Sequence, residues 1–385
     1  MPEIGISGLP LDYPFSGSAV YVRNLVRELP AAAPDLSFRL FTRSAGESSN
    51  LLRQRISSPF GRINHGHGAV ARLDKLTWEV GTLPIASAMR RQVVLHSTYF
   101  ASPVVANCPL VVTVHDVIPL VVPGYHRGRQ AALYSRFMAW NVPRVTRSII
   151  TVSEHAKRDI VRVLGVADER VHVAYEAVEA RFHPDQPSSA LEQVKAKYHL
   201  PERFALYLGG AERRKNIETL IRAWARAVRA LRDRELKLVV VARFPPPDDL
   251  YPDIPGLVRS EGLDRDIILI PHVDECDKPA LYAASLLFCF PSLYEGFGFP
   301  PLEAMASGVP VLCSNASSLP EVVGDAARTV PPEDVEAWRD AIVRLTDSES
   351  ERARLASLGL KRAAEFSWSR TAQQTVAIYR HLLSS

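Results

Sequence analysis

No apolar run in this 385-residue chain reaches the roughly 18 residues of a membrane span, so no segment reads as a transmembrane helix. Cysteine is scarce. Cys108, Cys276, Cys289 and Cys313 are scattered without a CxxC pair, which argues against a zinc ribbon or a disulfide framework and for buried free thiols in a reducing compartment. No GxGxxG follows the first strand-like run, which sets aside an NAD-dependent dehydrogenase. No Lys/Arg cluster is interleaved with aromatics, so nucleic acid is not an expected partner. No carboxylate pair stands out as a metal site, and neither a metal nor a cofactor is expected. Internal repeats and low-complexity tracts are also missing. The opening "MPEIGISGLP" has neither the basic start nor the apolar stretch of a secretory leader, and the expected location is cytoplasmic.

What remains is an ordinary globular composition, 47% hydrophobic and 23% charged, over a length that suggests two domains. The net charge of +4 is unevenly placed. Residues 1–180 hold 20 Lys+Arg against 14 Asp+Glu, which leaves 26 against 28 for the rest. A basic N-terminal half suits a peripheral contact with an anionic membrane face or a phosphorylated acceptor. An arginine-rich composition with no such partner is the plainer reading of the same count.

Strand-like and helix-like segments alternate, which predicts parallel sheets covered by helices. "EIGISG" (3–8), "LSFRLFT", "QVVLHS", "LVVTVHD", "SIITVS" and "VHVAY" (171–175) read as strands of a first half, with an amphipathic helix at 17–29. Ser153 and Gly165 bracket another helix as N-cap and stop. In the second half "FALYL" (204–208), "LKLVVVA", "DIILIPHV", "LLFCFPS" and "VPVLCS" read as strands. Asn216 has the residue type of an N-cap before a helix whose Ile217, Leu220, Ile221, Trp224 and Val228 share one face. The polar "HPDQPSSALEQ" after Phe182 has the composition of an interdomain linker. Two doubly wound α/β domains in tandem follow, and ligands of such sheets bind beyond the carboxyl ends of the strands.

The stretch "LYEGFGFPPLEAMASG" (293–308) is the most unusual in the chain. Pro300 and Pro301 suit the first turn of a short helix, and Gly308 followed by Pro310 suits its end. Glu303 is then expected in the first turn and Glu295 in the loop before it. Gly296 and Gly298 allow a ligand close to the backbone. Carboxylates accept from sugar hydroxyls, and amides at a helix start hold anionic oxygens, so the pattern suits a ligand bearing both.

This stretch, with "SNASSLPEVVGDAA" (314–327), "YLGGAERRKNIETLIRAW", "VVTVHDVIPL" (111–120), "TVSEHAKRDIVRVLGV" (151–166) and "FSWSRTAQQTVAIYRHL" (366–382), resembles the retaining glycosyltransferases of GT-B class, family 4. Glu295 and Glu303 form that family's E-x7-E pair. The resemblance covers nearly the whole chain, most strongly from 204 to 330. It implies a GT-B fold, two Rossmann-like domains facing across a cleft. Residues 1–180 would form the acceptor side, with the helix at 366–385 packed back on it, and 181–365 the nucleotide-sugar side.

Carried over by residue, the resemblance implies that Glu303 holds the ribose hydroxyls and Glu295 those of the donor sugar. Backbone amides of Gly296, Phe297 and Gly298 place sugar and diphosphate, which Lys215 and Arg214 neutralise. His115 would sit beside the transferred sugar, with Asp116 orienting it or facing the acceptor. Gly17 would belong to the loop below the diphosphate. Ser318 and Glu321 are spaced as a capping box. Two departures stand out. Gly210 replaces an arginine common in the family, and the first loop has one glycine where many relatives have more.

The implied chemistry is front-side sugar transfer with retention and without metal, the leaving phosphate taking the acceptor proton. GDP-mannose is the favoured donor, with UDP-glucose and other UDP- or dTDP-sugars close behind. A glycan or polyprenyl-linked oligosaccharide is the expected acceptor, which would place the enzyme at the inner membrane face. Alternatives are a nucleotide-sugar epimerase of the same fold, a transferase acting on a soluble natural product, and a non-catalytic binding module.

Overall fold

In the computed structural model the short apolar runs become strands because each is covered on both faces, as parallel sheets require. The structure describes residues 1–13, 16–42, 52–55, 77–126, 128–232 and 235–384. The chain divides into two compact units, Met1–Glu176 with Ser367–Ser385, and Ala177–Phe366.

The first unit is a parallel sheet of β1 (Glu3–Ser7), β2 (Ser37–Thr42), β3 (Leu52–Arg55), β4 (Val94–Ser97), β5 (Leu110–Thr113), β6 (Ser148–Thr151) and β7 (Val171–Val173). Its spatial order is β3-β2-β1-β4-β5-β6-β7. β3 has no counterpart among the expected strands. The helix Gly17–Ala32 starts where Ser16 Oγ accepts from the Ala19 amide at 3.2 Å, and it buries Tyr21, Val22, Leu25 and Leu29. It packs against the helix Trp368–Ser384. His96 on β4 fastens that C-terminal helix, with Nδ1 2.6 Å from Tyr379 Oη and Nε2 2.7 Å from Thr113 Oγ1. Ser153 and Gly165 bracket their helix as read, by a hydroxyl cap on the Ala156 amide and a φ of 64°.

The second unit is a parallel sheet of β8 (Phe204–Leu208), β9 (Lys237–Val241), β10 (Ile267–Ile270), β11 (Leu287–Phe290), β12 (Val311–Ser314) and β13 (Arg328–Val330). Its order, β10-β9-β8-β11-β12-β13, reverses direction between β8 and β11. Leu206 on β8 pairs with Val239 on one side and Phe288 on the other. The loops leaving β8 and β11 therefore rise side by side at the switch point, where such sheets take ligands. Helix Ile217–Ala227 covers the sheet with Leu220, Ile221 and Trp224, all fully buried. Truncating Trp224 to alanine is worth about 3–5 kcal/mol on general grounds.

Several local expectations need correction. The segment read as a linker is structured, since Ser188–Lys197 is helical within the second unit. Its polar exposed face, not freedom of the chain, explains the composition. Cys289 and Cys313 are buried free thiols, but Cys276 is exposed and Cys108 intermediate. Glu303 is the fifth residue of the helix Phe299–Ala306, so it lies in the second turn. The helix begins at Phe299 because Gly298, with φ 129°, turns the chain into it. It ends as expected: Gly308 has φ 73°, its amide bonds the Met305 carbonyl at 3.0 Å, and the Val309 amide bonds that of Ala304 at 2.9 Å.

Candidate functional site

The loop after β8 carries three basic residues through one 3-10 turn, Arg213–Lys215. Asn216 ends the turn in the left-handed region, at φ 56°. It holds the N-cap position of the next helix, but its side chain does not cap. Nδ2 donates to the carbonyls of Pro291 (3.2 Å) and Pro332 (2.7 Å), and Oδ1 accepts from Thr219 Oγ1 at 2.8 Å. That conformation sends Lys215 inward and leaves Arg213 exposed, bonded to the Asp249 carbonyl at 3.0 Å.

The loop after β11 meets it. The Leu293 amide bonds the Arg214 carbonyl at 2.7 Å, and Arg214 Nη1 donates to the Tyr294 carbonyl at 3.0 Å. Glu295 is the hub. Its Oε1 accepts from Lys215 Nζ and from Ser292 Oγ, both at 2.6 Å, and its Oε2 accepts from Arg214 Nη1 at 3.3 Å. Lys215 Nζ also lies 5.0 Å over the Phe290 ring, which is stacked on Phe288 at 5.9 Å and on Tyr207 at 6.1 Å. All three charged side chains are largely buried.

Burial alone would raise the Glu295 carboxyl, but Lys215, Arg214 and Ser292 outweigh it and hold it below the usual carboxylate range. Lys215 moves the other way for a lysine in an ion pair. Burial and the neighbouring Arg214 push its ammonium below the ordinary value, and Glu295 and Glu212 only partly compensate. The two shifts look opposed across one contact, yet both follow from cations crowded in a dry place. A further anion beside Lys215 would relieve it.

The "SNASS" segment braces this loop from the far side. The Glu295 amide donates to Ser317 Oγ at 2.8 Å, and Ser318 Oγ reaches the carbonyls of Glu295 (3.0 Å) and Phe297 (2.5 Å). The expected capping box at Ser318 does not form, because its hydroxyl is spent on the loop, and its helix Leu319–Val323 has no side-chain cap. Phe297 anchors the elbow with its ring packed on Phe299 and Phe366 at 5.6 and 5.8 Å. Gly298 is tightly placed, since a Cβ there would stand 2.9 Å from Leu319 Cδ2. Glu303 has other company. Tyr282 Oη donates to its Oε2 at 2.9 Å, and burial raises its pKa against the pull of Lys278 and Arg181.

Three expected site residues belong to the first unit. His115 follows β5, with Nδ1 3.2 Å from Glu176 Oε1, Nε2 3.4 Å from the Thr98 carbonyl, and the Tyr21 ring edge-on at 4.9 Å. Burial opposes its charge, but Glu176, Asp116 and the Thr98 carbonyl outweigh burial and raise its pKa. Glu176 is itself raised, chiefly by burial, so the pair holds its proton to higher pH than free side chains do. Glu176, not Asp116, is the carboxylate at the His115 ring; Asp116 Oδ1 accepts from the Ile118 amide at 3.0 Å and acts on His115 by charge. Gly17 is the first residue of its helix, and Phe15 of its loop lies outside the described residues.

The structure thus gathers Lys215, Arg214, Glu295 and the Gly296–Gly298 elbow, and gives Glu303 separate surroundings. Sequence reasoning missed Ser292, Ser317, Tyr282 and Glu176, and gave Ser318 a different role. The serines carried a readable signal in their proximity to the elbow, but a capping-box spacing drew Ser318 to the wrong partner. No group of three or more His, Cys, Asp or Glu side chains able to hold a metal occurs among the described residues.

Two doubly wound units, one presenting paired cations and a carboxylate at its switch point, define the class of α/β proteins that take anionic, nucleotide-like ligands. Residues 191–362 match the model for glycosyl transferases group 1, and residues 15–182 that for glycosyltransferase family 4. O-antigen chain mannosyltransferase B of Escherichia coli is 32% identical over 381 residues, spanning 97% of this chain and 98% of its own. The serotype-specific mannosyltransferase WbdA of E. coli is 34% identical over 275 residues, 70% of this chain but 33% of WbdA. Sucrose-phosphate synthase from Thermosynechococcus elongatus superposes with a TM-score of 0.76 over 100% of both chains at 22% identity, a likeness of fold. The chain belongs to the GT-B glycosyltransferases of family 4.

Proposed function

We propose that this glycosyltransferase moves a hexose, mannose from GDP-mannose in the favoured reading, to a glycan hydroxyl in polysaccharide synthesis, with retention and without a metal. The observation that carries the reading is the buried Lys215–Glu295–Arg214 cluster at the switch point of the second unit. A diphosphate is the ligand that would relieve its crowded cations. The mannosyltransferase names of relatives at 32–34% identity support the sugar and the polymer.

In this reading Lys215 and Arg214 neutralise the diphosphate as the bond to the sugar breaks. Glu295 does two things. Its Oε1 fixes Lys215 and its Oε2, with one charged donor at 3.3 Å, has a lone pair to offer a sugar hydroxyl. Amides of Gly296, Phe297 and Gly298 approach sugar and phosphate. Glu303 exchanges or shares its Tyr282 contact for ribose hydroxyls. His115, whose pKa Glu176 and Asp116 raise against burial, steadies a donor hydroxyl, with Asp116 toward the acceptor, and Gly17 lies below the diphosphate. The work is positioning and charge stabilisation, with the leaving phosphate as base.

Thermal denaturation with GDP, UDP, dTDP and ADP tests the donor class. Ligand at 100 times its Kd stabilises the native state by about 2.7 kcal/mol. GDP is expected to give the largest shift, and the shift is expected to vanish in Lys215→Ala. A response to UDP or dTDP alone overturns GDP-mannose, and no response to any of the four overturns the nucleotide site.

A further inference from the structure

We infer that Glu176 is a positioning residue for the transfer reaction, acting through His115 by fixing where the imidazole points and which of its nitrogens carry hydrogen. The inference rests on the proposed placement of His115 beside the transferred sugar, and its test separates the two. His115 Nε2 lies 3.4 Å from the Thr98 carbonyl, which only accepts, so that nitrogen carries a hydrogen. Nδ1 lies 3.2 Å from Glu176 Oε1. Both ring nitrogens therefore face oxygens, and a neutral imidazole donates to only one of them. One more proton, on Nδ1 or on the carboxyl group, removes the conflict. The pair then has no net charge, which suits a buried place.

Both partners are fixed by their surroundings. The backbone leading to Glu176 is pinned twice: the Ala174 amide bonds the Thr151 carbonyl at 2.8 Å, and the Tyr175 carbonyl accepts from Thr371 Oγ1 of the C-terminal helix at 2.5 Å. The His115 ring meets Tyr21 edge-on at 4.9 Å, and Tyr21 Oη is itself 3.1 Å from Thr113 Oγ1. A buried carboxylate–imidazole pair is a costly way to hold a fold, since apolar side chains of similar volume often hold it as well or better. Here Glu176 is 2% exposed, and its Oε1 accepts no aligned hydrogen bond. Such pairs cluster at working sites, where a histidine must keep one orientation and one protonation state. Of the other ionisable groups around the ring, Asp116 favours its charge. His96, lowered to about 3 chiefly by burial, and Tyr21, raised by burial, stay neutral.

Two measurements on the full chain test this. Nitrogen-15 NMR of the His115 ring, assigned by its loss in His115→Gln, reads protonation and tautomer with no substrate present. The wild-type ring should titrate above the ordinary histidine value of about 6.5. In Glu176→Gln, which keeps the shape and an acceptor but no charge, it should titrate at lower pH. Steady-state transfer from GDP-mannose across pH reads the reaction. The kcat of Glu176→Gln should lose its basic limb at lower pH than wild type. Above both limbs the variant should fall behind about tenfold for each pH unit of displacement, and below both the two rates should converge. A role in shape alone lowers the rate equally at every pH. A wild-type ring titrating below about 6.5 overturns the inference whatever the variants do. A large loss in His115→Gln, with a Glu176→Gln profile parallel to wild type, overturns the role of Glu176 alone. Near-wild-type turnover in His115→Gln overturns the placement of His115, and the inference with it.

Discussion

Glu295 joins both buried cations of the second unit, so its charge is the one to remove first. Glu295→Gln keeps the shape of the side chain and an acceptor for Ser292, but removes the negative charge that Lys215 and Arg214 share. Losing one partner of a buried ion pair costs about 3–5 kcal/mol. The remaining amide oxygen still accepts one bond, so about 3 kcal/mol is the reasonable figure. In a unit of this size each kcal/mol moves Tm by about 2–4 °C, which predicts a fall of about 6–12 °C for the unit Ala177–Phe366. GDP carries the missing negative charge and no sugar, so it should recover more of Tm in the variant than it adds to the wild type. Scanning calorimetry of the full chain with and without GDP reads both numbers. A variant that melts with the wild type, or gains no more from GDP, refutes the reasoning.

Lys215→Ala should lower turnover by roughly 100-fold, whereas Arg213→Ala, exposed and bonded to the Asp249 carbonyl, should stay within about twofold in the same steady-state assay. Gly298→Ala should cost about 1–3 kcal/mol in denaturant unfolding, because an alanine at φ 129° is strained and its Cβ meets Leu319. His115 has a raised pKa, so its contribution to stability is complete below about pH 6.5 and is lost as pH rises through the folded value. The stability gap between wild type and His115→Gln should therefore shrink as pH rises above about 6.5, and a gap that widened would contradict the assigned environment.

The strands of the second unit were legible because "FALYL" and "LLFCFPS" are apolar on both faces, and only a parallel sheet buries both. Gly308 was legible because a left-handed helix stop nearly demands glycine. The site was legible as residues but not as bonds. Glu295 was read as facing a sugar, and nothing local revealed that Lys215, 80 positions away, would claim its first oxygen. Ser318 looked like a cap because spacing records helix chemistry and not the loop across the fold. Glu176 was invisible for the same reason: its partner His115 lies on another strand's end. β13 was not legible because Arg328 is exposed and only Val330 of its three residues is buried, which leaves no apolar run to read.

The most direct measurement is transfer itself. With GDP-mannose and a mannose-terminated oligosaccharide, the wild-type chain should release GDP and form an α-linked product, read as the anomeric coupling by NMR, and Lys215→Ala should form about a hundredth as much. A β-linked product would contradict retention, and release of free altered sugar without an acceptor, or no transfer from any GDP-, UDP- or dTDP-sugar, would contradict the assigned function.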